Sequence, residues 1–249
     1  MSAGSMRPGE RLDDAAARRS RNGGRLYAWF ALVAGFTIFA GFARTLYLRS
    51  ISGAAPLSTL LLVHGIVMTT WFVVFGVQVW LVATRRIRLH RRLGMFGLVL
   101  AACVVYVGFA AAIDAGRRGV GSAFGVTPLM FMAIPLFDMP VFALLVGVAA
   151  WQRRRPDIHK RLMLLATLGM LTPAIARIPL PLIQNGGPPV FFGLAIGIVL
   201  ACIAADTLWN RSLHPACGWG GALIVAMLPL RVFIAETQVW ARVASWLLR

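Results

Sequence analysis

Long apolar runs alternate with short polar joins along most of this chain. From residue 27 onward each run is about 20 residues long, the length of a helix that crosses the hydrocarbon of a bilayer. Seven runs predict seven transmembrane helices, at 27–47, 57–83, 93–114, 127–151, 161–183, 189–209 and 217–237. The joins share a form: a run ends on Trp and Arg, and a His opens the next. Trp80, Arg85, Arg86 and His90 make the first; Trp151, Arg153, Arg154, Arg155 and His159 the second; Trp209, Arg211 and His214 a weaker third. Short joins make consecutive helices antiparallel neighbours. Spans two to seven therefore read as three parallel two-helix hairpin repeats after an additional first helix.

Composition supports an all-α integral membrane helix bundle. The chain is 59% hydrophobic and 13% charged, against about 25% charged residues in an ordinary soluble domain. The net charge of +17 would suit a nucleic-acid binder, but the basic residues sit in bursts between apolar runs rather than on one soluble face, so no nucleic-acid partner is expected. With the amino terminus inside, 17 of the 25 basic residues fall on the cytoplasmic side. This positive-inside bias predicts a cytoplasmic amino terminus and, after seven spans, a periplasmic carboxyl terminus. Trp29, Trp80, Trp151, Trp209 and Trp219 fall at the inner span ends, and Trp240 and Trp246 beyond the last span, as an interfacial belt. Residues 1–24 read as a disordered basic tail, 25–238 as the transmembrane domain, and 239–249 as a short amphipathic tail on the outer interface. Cys103, Cys202 and Cys217 form no C-x-x-C, which supports neither a disulfide framework nor a zinc knuckle.

Ionisable groups within spans are the main functional signal, because a charge there is costly. Counting along the helices at 1.5 Å per residue, His64 lies roughly 10 Å from the outer surface and Asp138 about 15 Å, with Arg177 and Arg231 within roughly 10 Å. These four side chains from four helices are expected at one depth, with Gln184 and Asn185 at the rim of an outward-facing ligand pocket. Asp138 is the acid for which Arg177, Arg231 and His64 compete, and one acid cannot neutralise two arginines. The surplus charge fits an anionic ligand. Pro135, Pro140, Pro173, Pro179, Pro181 and Pro229 mark the same level and weaken the backbone ladder there. A structural salt bridge with a snorkelling Arg is the alternative. The joins are weaker metal candidates. His90, His159 and His214 would have to converge, and no H-x-x-H or H-E-x-x-H supports them. They read instead as interfacial helix starts with Asp157 and Ser212 as caps.

The stretches Val63-His64-Gly65, Trp71, Gln78, Leu89-His90-Arg91-Arg92-Leu93-Gly94, Pro135-Leu136-Phe137-Asp138 and His159-Lys160-Arg161-Leu162-Met163 resemble an uncharacterised family of small bacterial multi-pass membrane proteins. That resemblance covers most of the chain after residue 27 and implies a bacterial inner membrane, but no activity. A looser likeness to b-type cytochromes implies haem b or a quinone at His64. A third reading is a membrane-complex assembly protein. Its helix faces would meet a partner or a second copy through Gly193 and Gly197, small residues that let helices approach. Hydrolysis lacks its usual motifs, and the lipid bilayer is the partner expected in every case.

Overall fold

The computed structural model describes residues 8–120 and 127–249, with side chains from residue 24 on. Among the described residues it is all-helical. Helix α1 (Pro8–Phe42) continues through a π-helical turn, Ala43–Tyr47, to the short α2 (Arg49–Ser52). Then follow α3 (Thr59–Ala83), α4 (Ile87–Arg117), α5 (Pro128–Trp151), α6 (Pro156–Gly169), α7 (Thr172–Ile175), α8 (Pro181–Asn210), α9 (Pro215–Ala235) and α10 (Gln238–Leu247). Residues 8–24, read above as tail, lie within α1; residues 1–7 lie outside the described part.

Local signals set the starts. Ser58 accepts from the Leu61 amide to cap α3, and Thr127 accepts from Met130 to cap α5, satisfying backbone donors that a helix leaves free. Thr237 caps α10 in the same way and separates it from α9. Six helical segments, Gly24–Tyr47, Thr59–Ala83, Ile87–Arg117, Pro128–Trp151, Pro181–Asn210 and Pro215–Ala235, are long and apolar enough to cross a membrane. They turn Leu32, Phe36, Val99, Tyr106, Leu144 and Phe233 outward, apolar surface suited to contact with lipid. Trp29, Trp80, Trp151 and Trp246 also face outward, whereas Trp240 is buried and donates from Nε1 to the Leu129 carbonyl at 3.0 Å.

The run at 161–183 is not one helix. It is α6, a break at Met170–Leu171, the single turn α7 and an irregular stretch to Pro181. Pro173 explains the break: it has no amide hydrogen to bond the Gly169 carbonyl four residues earlier, and its ring clashes with that carbonyl. The second hairpin therefore does not copy the first, since α6 has 14 residues where α4 has 31. The broken segment is the centre of the molecule. Leu162, Leu164, Leu165, Ala166, Thr167 and Leu168 are all buried, and α1, α5, α8 and α9 pack around α6. Irregular backbone at membrane depth is tolerated where protein surrounds it.

This segment runs beside α1 along much of that helix. Lys160 lies over the Tyr27 ring at one end and Arg177 over Phe42 at the other, a distance of roughly 22 Å by helical rise along α1. Gly41 makes the approach of α7 to α1 possible, since a Cβ there would collide with the Ala174 backbone. Gly193 and Gly197 face outward on α8, where an added Cβ would meet nothing among the described residues.

Candidate functional site

Two ion pairs lie inside the bundle. The first joins α5 to α9. Asp138 sits between Pro135 and Pro140 on α5, and Arg231 follows Pro229 on α9. Arg231 is 1% exposed, and its Nη1 donates to Asp138 Oδ1. Its guanidinium lies 5.0 Å from the Phe192 ring centre on α8, a cation–π contact. Nε and Nη2 are buried with no hydrogen-bond partner among the described residues. These two nitrogens form one edge of the guanidinium, the edge that grips an anion with two parallel bonds. Beside the pair is a cavity of about 20 Å³, counted as space open to the centre of a water molecule; that is room for about one water. Gly169, Met170 and Thr172 also line it, so the cavity meets the break between α6 and α7.

The other residues expected here are divided among different surroundings. Arg231 takes Asp138. Arg177 donates from Nη1 to the Pro173 carbonyl at 2.8 Å and stacks over Phe42, its guanidinium carbon 5.2 Å from the ring centre. His64 lies within electrostatic reach of Arg177 and the Val107 carbonyl, and its Nδ1 is buried without a hydrogen-bond partner among the described residues. Gln184 donates to the Ala176 and Ile178 carbonyls at 3.3 and 2.9 Å, closing the backbone after α7 rather than forming a rim. Asn185 is exposed just before the α8 kink at Gly187, where φ is +61°.

The second pair was missed by the sequence reading. Arg161 on α6 and Asp206 on α8 are 5% and 3% exposed and meet at 2.8 Å from Nε to Oδ2. Tyr27 donates its hydroxyl to Asp206 Oδ1 at 3.0 Å, and Cys217 Sγ lies 3.6 Å from Oδ2. Arg161 Nη1 donates to the Asp157 carbonyl at 2.8 Å. The adjoining cavity is about 10 Å³, at or below the space one water needs. A signal existed: Asp206 is an acid near the end of one apolar run, and Arg161 a base near the start of another, both toward the joins.

The three joins gather at this end of the bundle. His214 accepts the Ala216 amide through Nδ1 at 3.1 Å, so His214 itself caps α9, not Ser212. An accepting Nδ1 leaves the proton on Nε2, and that nitrogen donates to Asp157 Oδ2 at 3.1 Å. Asp157 lies in the first turn of α6, and Arg155 holds the cap position. Desolvation, the largest single influence, opposes ionisation of Asp157, but the hydrogen bond from His214 together with backbone hydrogen bonds at Asp157 and Ile158 and the attraction of His214 holds the carboxyl below its ordinary range. The rings of His90 and His159 approach each other, while His214 goes to Asp157. Among the described residues, no three His, Cys, Asp or Glu side chains gather around one metal position.

No model of a known protein family, no curated protein and no solved structure matches this chain.

Proposed function

We propose that this protein binds a small monovalent anion, a halide or a planar oxyanion of similar size, at the free edge of Arg231 beside its partner Asp138, and passes it across the inner membrane. The observation that carries the reading is the free Nε–Nη2 edge of a buried guanidinium beside a water-sized cavity. Buried donors without acceptors are costly, and an anion satisfies both at once. The cavity also sets the ligand class, because an organic substrate does not fit into room for one water. Its place at a helix break is where transporter sites occur, since a discontinuous helix offers unpaired backbone groups to a ligand.

In this reading the chain crosses seven times. The broken segment makes the fifth crossing beside α1, and the basic joins lie in the cytoplasm, as the charge bias requires. The carboxyl terminus is then periplasmic. The outward stripe at Gly193 and Gly197 is the surface we assign to a second copy. The haem or quinone reading draws on no observation beyond His64 itself.

The test uses the purified protein in proteoliposomes, with radioactive chloride and with nitrate as probes. Wild type is expected to show saturable binding and flux. Arg231→Lys keeps the charge but loses the two-donor edge, and binding should weaken at least about tenfold, the worth of one charge-assisted hydrogen bond. Wild-type protein that binds and moves neither anion overturns the reading.

A further inference from the structure

Among the described residues, the joins bring together buried polar side-chain atoms without hydrogen-bond partners. Gln78 on α3 donates its amide Nε2 to the His90 carbonyl at 3.2 Å, and its Oε1 is buried without a partner. The His90 ring lies against the Gln78 backbone carbonyl, and its Nδ1 is also buried without a partner. On α6, His159 Nδ1 faces the Ala149 carbonyl at 2.8 Å. A carbonyl only accepts, so the proton is on Nδ1 and the lone pair on Nε2. An N–H held by a carbonyl is the usual support of a metal-binding imidazole, because it fixes both tautomer and ring orientation.

Spacing points to a particular coordination. The ring centres of His90 and His159 are 6.3 Å apart, with planes at 83°. With metal–nitrogen bonds of about 2.0 Å, two imidazoles on opposite sides of one ion have centres roughly 6.2 Å apart, and at a tetrahedral angle roughly 5 Å. The observed separation matches the opposed arrangement. Charge narrows the choice further. Arg86, Arg88, Arg91, Arg92 and Arg155 belong to these joins, and both histidines lie in the first turns of α4 and α6, whose amino ends carry partial positive charge. A dication meets twice the repulsion that a monocation does. Two opposed nitrogen ligands and a single charge suit copper(I), an imidazole-binding ion, better than zinc(II).

We propose that His90 and His159 bind one copper(I) ion between them. The site stands apart from the Arg231 cavity and does not depend on the anion reading.

Anaerobic titration of the purified protein with copper(I), against a chromogenic copper(I) chelator, tests it. One equivalent per chain is expected, weakened at least tenfold in His90→Gln and in His159→Gln and unchanged in His214→Gln. X-ray absorption on wild type should show nitrogen neighbours and no sulfur, a readout that needs no variant to fold. Sulfur neighbours would move the ion to the cysteines and overturn the proposal. Unchanged affinity in both His variants, or zinc(II) bound more tightly than copper(I), would do the same.

Discussion

Arg161–Asp206 and Arg231–Asp138 are the same chemical pair in the same bundle, and both arginines are nearly inaccessible. They differ in what completes them. Around Asp206 a tyrosine hydroxyl and a thiol supplement the arginine, and Arg161 also reaches a backbone carbonyl. Around Arg231 the described residues supply one bond to Asp138 and an aromatic face, and among them two nitrogens have no hydrogen-bond partner beside a cavity. A buried network that is fully bonded holds its elements in one arrangement; a partly bonded one keeps capacity for something else. Burial and charge alone therefore do not mark a site. The Arg161–Asp206 pair ties α1, α6 and α8 together, and the Arg231–Asp138 pair leaves unmet donors beside a cavity.

The comparison breaks most readily on stability. Asp206→Ala leaves Arg161 buried and unpaired and should cost about 3–5 kcal/mol. Asp138→Asn should cost less, about 1–2 kcal/mol, because the adjoining cavity admits a water to the guanidinium. Unfolding of both variants in detergent measures the difference, and equal losses would erase the distinction. Asp138→Asn should also bind chloride more tightly than wild type, since it removes the negative charge that competes for Arg231. Weaker binding would show that the carboxylate helps hold the ligand. Tyr27→Phe sharpens the Asp206 side: one lost hydrogen bond should cost about 1 kcal/mol, with anion binding unchanged in the same flux assay.

The smallest effect is expected at His214, outside both pairs. Loss of its cap in His214→Ala should cost about 0.5–1 kcal/mol near neutral pH. The lowered Asp157 carboxyl sets the sign of the pH dependence. Its contribution is fully present above the ordinary carboxylate range and is lost as pH falls through the lowered value in the folded protein. The cost of His214→Ala should therefore shrink in acid, which unfolding at two pH values would detect.

Much of the bundle was legible in the chain because lipid imposes length and polarity on every helix it surrounds. Six apolar runs form helical segments long and apolar enough to cross a membrane, one ending in a π-helical turn and one kinked at Gly187. The seventh, at 161–183, has the same composition but lies inside the protein, where Pro173 can break it without exposing backbone to lipid. Of the expected site, that Asp138 takes a basic partner from another helix followed from charge balance, but that Arg231 rather than Arg177 or His64 takes it did not. The departure of Arg177 to Phe42 and of Gln184 to the α7 carbonyls did not, because it depends on how α1 and α7 approach at Gly41. Asp206 was passed over because it stands near a span end, where an acid ordinarily faces water.

Taken alone, the sequence determined that the chain is a helical membrane protein with basic joins and costly polar groups within its apolar runs. Hydrophobic length and charge placement are properties of segments, and segments can be read singly. Tertiary structure decided which polar groups find partners. It completed Asp206, left an edge of Arg231 open at a helix break, and set His90 opposite His159. Pairing depends on distances between helices, and no segment contains those.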